Sequence, residues 1–256
     1  MRTFSLLILL FMMLPAAGAA QRRPAAGISS TPPRSAENQS PEIGQSAIVL
    51  DETLSLLRTS PSLFAPAIHR MQIGRRVQIQ AVKEADGVRF YKVAAPPTSI
   101  GWVQADAVFG RFRKGDDARL VELIRVSTGF EQFELMRQYF ELFPGSYSRP
   151  AMLLLFGDLA EDTAVKLSKD ANRRLTRSHM AATGAPLHSY YLNFVGLDRY
   201  RKLGITFLFD PVEKLFHYDG TSWKELAAKF PDKPEAAEAL KRIDILNKKM
   251  AAAAGR

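Results

Sequence analysis

The 256-residue chain contains no cysteine. That absence excludes disulfides, thiolate zinc sites, thiol nucleophiles and a lipid-modified N-terminal cysteine. Histidine is scarce, and none of His69, His179, His188 and His217 stands at i, i+4 from another or in an HExxH spacing. Each therefore reads as a structural or surface residue, and neither a metal nor a cofactor is expected. A phosphate-binding loop, a dinucleotide glycine fingerprint and a Gly-x-Ser-x-Gly elbow are also missing, so the glycines read as turn markers. No enzyme is expected. A single glutamate working alone in a cleft would leave no spacing to detect, and Glu122, Glu131 and Glu134 are the candidates for such a lytic activity; a solvated helix face accounts for all three. Acidic residues number 26 against 35 lysines and arginines, a net charge of +9 that favours anionic partners.

Long apolar runs are missing too. The longest, residues 4 to 14, is shorter than the ~20 residues of a membrane helix. It follows Arg2 and precedes Pro15 and the small residues Ala16, Ala17, Gly18, Ala19 and Ala20. This is the grammar of an export signal, and it predicts cleavage after Ala19 or Ala20 and a periplasmic or extracellular protein. Residues 21–45 carry Arg, Pro, Ser, Gly and Asn with almost no large apolar side chains. Nothing in that stretch offsets the entropy of ordering, so it reads as a disordered tether.

Residues 46–110 are rich in β-branched side chains and are broken at short intervals by turn residues, the pattern of a small barrel. Val77, Ile79 and Ala81 alternate with Arg76, Gln78 and Gln80, and Asp86-Gly87 supplies a hairpin turn. The run from Leu56 to Ser62, Ile68 ahead of Gly74-x-x-Val77-x-Ile79, the Phe90-Tyr91-Lys92-Val93 strand and Ile100-Gly101-Trp102-Val103 together resemble the bacterial SH3-like family. The resemblance covers about a quarter of the chain. It implies a bent five-stranded barrel used as a non-catalytic targeting or ligand-binding module of exported proteins. Phe90 departs from the tryptophan that is commoner there.

Strand alternation directs Tyr91 and Val93 inward, and Val103 with them. Phe90 and Trp102 then face outward together, with Lys92 beside them and Arg58 on the loop side, a platform suited to stacking on a sugar or gripping a peptide. The competing expectation is that this pair merely covers the barrel or docks on the helices, leaving the barrel a structural cap.

Residues 114–256 carry helical periodicity. Asp116 or Asp117 caps a first helix, Phe133, Met136, Phe140 and Phe143 mark a second, and Pro150 opens a long third one running towards Arg177. Lys166, Lys169, Arg173 and Arg177 form a cationic stripe on it, read as a surface for anionic envelope polymers or lipid headgroups rather than nucleic acid, since the chain is exported. A fourth helix is expected over 187–203 with Tyr191, Phe194 and Val195 inward, then a hairpin at 205–218. Ser222 to Glu225 reads as a capping box, and Pro234 opens the last helix.

The segment Tyr139 to Gly145 echoes Leu226 to Asp232, each a helix end with a Phe-Pro turn. The stretch from Tyr218 through Ala239 resembles a tetratricopeptide-like repeat of exported scaffold proteins. The expected architecture is thus α+β and multidomain, a small SH3-like barrel followed by a mostly helical, repeat-like region with a short hairpin. The expected role is a non-enzymatic binding or scaffold protein of the cell envelope. Its barrel would take peptide or peptidoglycan and its helices a protein partner, with peripheral membrane contact allowed.

Overall fold

A computed structural model describes residues 40–180, 184–194 and 196–254. The expected signal and most of the tether lie outside them. The chain is mixed α+β, and the described residues belong to one compact unit.

An antiparallel sheet curled into a half-barrel takes the first part. Its strands are β1 (Ser46–Val49), β2 (Leu56–Arg58), β3 (Ala67–Arg70), β4 (Arg76–Ala85), β5 (Val88–Ala95), β6 (Ser99–Gln104) and β7 (Val108–Phe109), in the order β3-β2-β6-β5-β4-β1-β7. The alternation behaves as expected on the inner face: Val77, Ile79, Tyr91, Val93 and Val103 are all buried. A bulge between Ile79 and Ala81 then shifts the register of β4 against β5, leaving Ala81 and Val82 both half-buried. Residues 40–45, expected to be the end of the tether, are ordered into a turn. Ser40 begins a turn in which Ile43 N–H donates to the Ser40 carbonyl at 3.0 Å, and Glu42 is 2.7 Å from Arg89.

Helices follow: α1 (Asp116–Val126), α2 (Gly129–Leu142), α3 (Arg149–Arg174), the short α4 (Arg177–Met180) and α5 (Leu187–Phe194). A 3-10 turn, Leu197–Leu203, leads to a hairpin of β8 (Phe207–Asp210) and β9 (Leu215–Tyr218), and then to α6 (Thr221–Lys229) and α7 (Pro234–Ala254). The single helix expected over 187–203 is broken because Gly196 adopts φ 69, a left-handed conformation that no helix carries through. Tyr191 is buried as expected; the side chain of Phe194 and all of Val195 lie outside the described residues.

Two helix starts also differ from expectation. Asp116 is the first helical residue after Gly115, which caps in a left-handed conformation, and its carboxylate turns back to Gly110 N–H (2.9 Å), Arg113 Nε (2.6 Å) and Arg119 Nη1 (2.7 Å). Ser222 is no cap: Gly220 precedes α6, Asp219 Oδ1 accepts the Thr221 N–H at 3.0 Å, and Ser222 N–H donates to the Tyr218 hydroxyl at 2.7 Å. The Asp219 carboxylate does the work assigned to the capping box.

The two Phe-Pro turns are alike in backbone as well as in sequence. α2 ends on Phe143 at φ −124, ψ 59, with its N–H bonded to the Tyr139 carbonyl. α6 ends on Phe230 at φ −135, ψ 48, with its N–H bonded to the Leu226 carbonyl. α3 anchors the hairpin along the edge of β9, where Ser168 Oγ accepts Phe216 N–H and Glu161 Oε2 accepts Tyr218 N–H. The edge strand's donors are thereby satisfied by side chains rather than by another strand.

Two apolar cores meet at one wall. Ala47, Val49 and Val108 point into the half-barrel core, whereas Ile48, Leu50 and Phe109 pack in the helical core with Leu120, Met136 and Tyr139. Period-two alternation of a strand buried on both faces produces that division.

Candidate functional site

The outer face of the half-barrel brings three of the expected residues into one row. Trp102 on β6 stands opposite Lys92 on β5 and, on its other side, opposite Arg58 on β2. Directly paired residues of antiparallel strands project to the same face, so an indole is flanked by a cation on each neighbouring strand. All three are half-buried. Trp102 belongs to neither apolar core. Ile100 shares its face two residues along β6 and is 55% exposed; Phe64, in the loop between β2 and β3, is 88% exposed.

Phe90 does not join that surface. Alternation does place it on the face of Lys92 and Trp102, but it is fully buried and pairs with Gln104 rather than Trp102. The loop between β2 and β3 is tied down at the same end of the sheet. Ser62 Oγ and Leu63 N–H donate to Asp86 Oδ2 at 2.6 and 2.8 Å, pinning the loop to the β4–β5 turn, the end of the face where Phe90 lies. Arg58 Nη1 donates to the Ala65 carbonyl at 2.8 Å and ties the same loop down at its other side. Nothing in the local pattern of the loop announces Asp86 as its anchor, 24 residues from Ser62. The aromatic platform is therefore a single indole between two cations.

The cationic stripe is shorter than its spacing predicts. Lys166 and Lys169 are exposed on α3, while Arg173 and Arg174 both pair with Asp170, at 3.2 and 3.1 Å. The helix stops at Arg174 because Leu175 turns extended, at ψ 118, so Arg177 begins α4 and cannot continue the row. The Arg177 side chain lies outside the described residues.

The carboxylates considered for lytic chemistry are dispersed. Glu122 pairs with Arg125 at 2.9 Å on α1, whereas Glu131 and Glu134 lie one turn apart on α2. Burial, then the neighbouring Glu131, raise the Glu134 carboxyl above its ordinary range. Asp158 and Glu161, within α3, make tertiary contacts. Asp158 meets Arg242 of α7 at 2.6 Å, and Glu161 Oε1 lies 2.7 Å from His217 Nδ1. Between α3 and α7, Asp158, Glu161 and Arg242, with Trp223 and Lys249, line a cleft of about 310 Å³.

Of the other histidines, His69 is half-buried on β3, His188 is exposed with its ring 5.5 Å from Phe209, and His179 contacts Thr176. Among the described residues no helix is long and apolar enough to cross a membrane. No protein-family model, curated protein or solved structure matches the chain.

Proposed function

We propose that this chain is an exported, non-enzymatic binding protein of the cell envelope, in which an SH3-like half-barrel takes an extended peptide or glycan across Trp102. Its tetratricopeptide-like helical pairs hold a protein partner. The observation that carries this reading is the position of Trp102: half-buried, outside both apolar cores, and flanked in register by Arg58 and Lys92. An indole gives a flat apolar surface for a sugar ring or an apolar side chain, and the two cations favour the carboxylates carried by peptidoglycan stem peptides. The chain's net charge of +9 points to the same class of ligand.

A second reading, the barrel as a structural cap, is favoured by Ile48, Leu50 and Phe109, which pack in the helical core. Those residues belong to β1, its C-terminal neighbour and β7. Trp102 lies on β6, between β2 and β5, so capping and binding engage different strands.

Thermal stability and binding to purified peptidoglycan, measured on one Trp102→Ala sample of the mature protein, test the proposal. Aromatic anchors at binding sites contribute at least about 2 kcal/mol, so binding should fall roughly thirtyfold while the melting temperature changes little. Undiminished binding by the folded variant removes Trp102 from the site. A large loss of stability makes it a packing residue and favours the cap.

A further inference from the structure

The hairpin that leans on α3 gathers three potential metal ligands. In its register Leu208 stands opposite His217 and Asp210 opposite Leu215, so Asp210 and His217 share one face while Phe209 and Phe216 occupy the other. Ligand atoms of Asp210, Glu213 and His217 lie within 4.8 Å of one another.

The histidine points to a cation. His217 is fully buried, its Nδ1 is held 2.7 Å from Glu161 Oε1, and its Nε2 is buried with no hydrogen-bond partner. With Nδ1–H donating to the carboxylate, Nε2 presents a lone pair and nothing to receive it. A carboxylate holding one ring nitrogen so that the other binds metal is the usual support of a ligating histidine, and it also fixes the tautomer.

The carboxylates point the same way. Asp210 is 3% exposed, and although its Oδ1 accepts the N–H groups of Val212 and Glu213, neither Asp210 nor Glu213 has an ion-pair partner among the described residues. Buried carboxylates are costly without a counter-charge. Around His217 stand the acidic Glu161, Asp210 and Glu213, and Lys249, 3.4 Å from Glu161, is the cation recorded against them.

We propose that Asp210, Glu213 and His217 bind one divalent transition-metal ion, with zinc the best match, and that Glu161 positions the histidine. One imidazole and two carboxylates are the donor types zinc accepts, and three protein ligands leave a coordination position for water. Metal–ligand bonds of about 2.0–2.2 Å hold donors well inside the 4.8 Å within which these lie, and Glu213, exposed in the turn after β8, is the side chain free to adjust to an ion. The sequence spacing hides the site: its orienting carboxylate is 56 residues from the histidine.

The test uses the untagged full chain, stripped with chelator and titrated with zinc and with cobalt as a spectroscopic probe. One ion per chain should remain after gel filtration, cobalt should give the visible bands of a low-coordinate site, and zinc should raise the melting temperature saturably. Glu213→Gln changes an exposed side chain, so the variant should fold and bind cobalt at least tenfold more weakly; Asp210→Asn should weaken it further. Failure to retain stoichiometric metal overturns the proposal. Cobalt binding unaltered by Glu213→Gln also overturns it, placing the ion on His69, His179 or His188 instead.

Discussion

Replacing Gly157 with alanine tests how tightly α6 is seated on α3. Gly157 is a buried residue inside α3, and a Cβ built there would lie 2.6 Å from Trp223 Cε2 and 2.7 Å from Cδ1, with Nε1 nearer still. Two effects oppose each other. Alanine is favoured over glycine in a helix interior by about 1 kcal/mol. Overpacking a close-packed site costs about 1–3 kcal/mol, and the upper end applies here because the obstacle is a rigid indole rather than the end of a flexible chain. Trp223 is 3% exposed and its ring stands 5.5 Å edge-on from that of Tyr218, so shifting the indole disturbs that contact and the shape of the cleft it lines. The net loss is therefore about 2 kcal/mol, or roughly 4–8 °C in melting temperature for a unit of this size. Thermal unfolding followed by near-ultraviolet circular dichroism reads both the midpoint and the indole environment. Gly145→Ala is the control, since a Cβ there meets nothing within 4 Å. A melting temperature equal to or above that of the parent would refute the reasoning, because helix propensity would then have outweighed the contact.

Two further substitutions test buried charge. Asp116→Ala removes the fully buried acceptor of Gly110 N–H, Arg113 and Arg119, and should cost about 3 kcal/mol, the low end for breaking a buried pair because both arginines keep some solvent; an unchanged urea midpoint would contradict it. Burial by itself raises the Glu225 carboxyl, but the Arg149 hydrogen bond at 2.8 Å and Lys229 outweigh it and hold the group below its ordinary value of 4.5. The stabilisation from this ion pair is thus present above about pH 4.5 and is lost as the pH falls below it, so Glu225→Gln should flatten the acid limb of the stability profile. Parallel acid limbs for parent and variant would exclude that role.

The inner face of the half-barrel was legible because a strand's period of two is local: Val77, Ile79, Tyr91, Val93 and Val103 declare their burial within a few residues. Helix ends were legible for the same reason, through Phe-Pro turns and the Pro150 start. What failed was set by contacts and helix ends that no periodicity records. Phe90 is fully buried where alternation turned it outward, and Ser222 lost its capping role to Asp219, whose carboxylate accepts the Thr221 N–H. The stripe on α3 was drawn as if the helix reached Arg177, but its periodicity carries no record of where Leu175 turns extended. Glu161, Asp210, Glu213 and His217 come from a helix and a hairpin that meet only in the folded chain. No spacing rule joins them.

The shared wall changes what the barrel is able to do. A module of roughly 60 residues buries too little surface to be comfortably stable alone. Here β1 and β7 turn Ile48 and Phe109 outward into the helical core, so apolar area that an isolated barrel would expose is buried between the two parts. Stability of the β-rich part is thereby coupled to the helices through that wall. The face bearing Arg58, Trp102 and Lys92 lies on other strands, joined to the wall through β5 and β4. Residues on that face are therefore substitutable without loosening the joint, whereas changes at Ile48 or Phe109 disturb both cores at once. If the proposed function holds, a face carried on a sheet joined to the helical core, with its indole outside either core, loses little conformational entropy when a ligand settles on it.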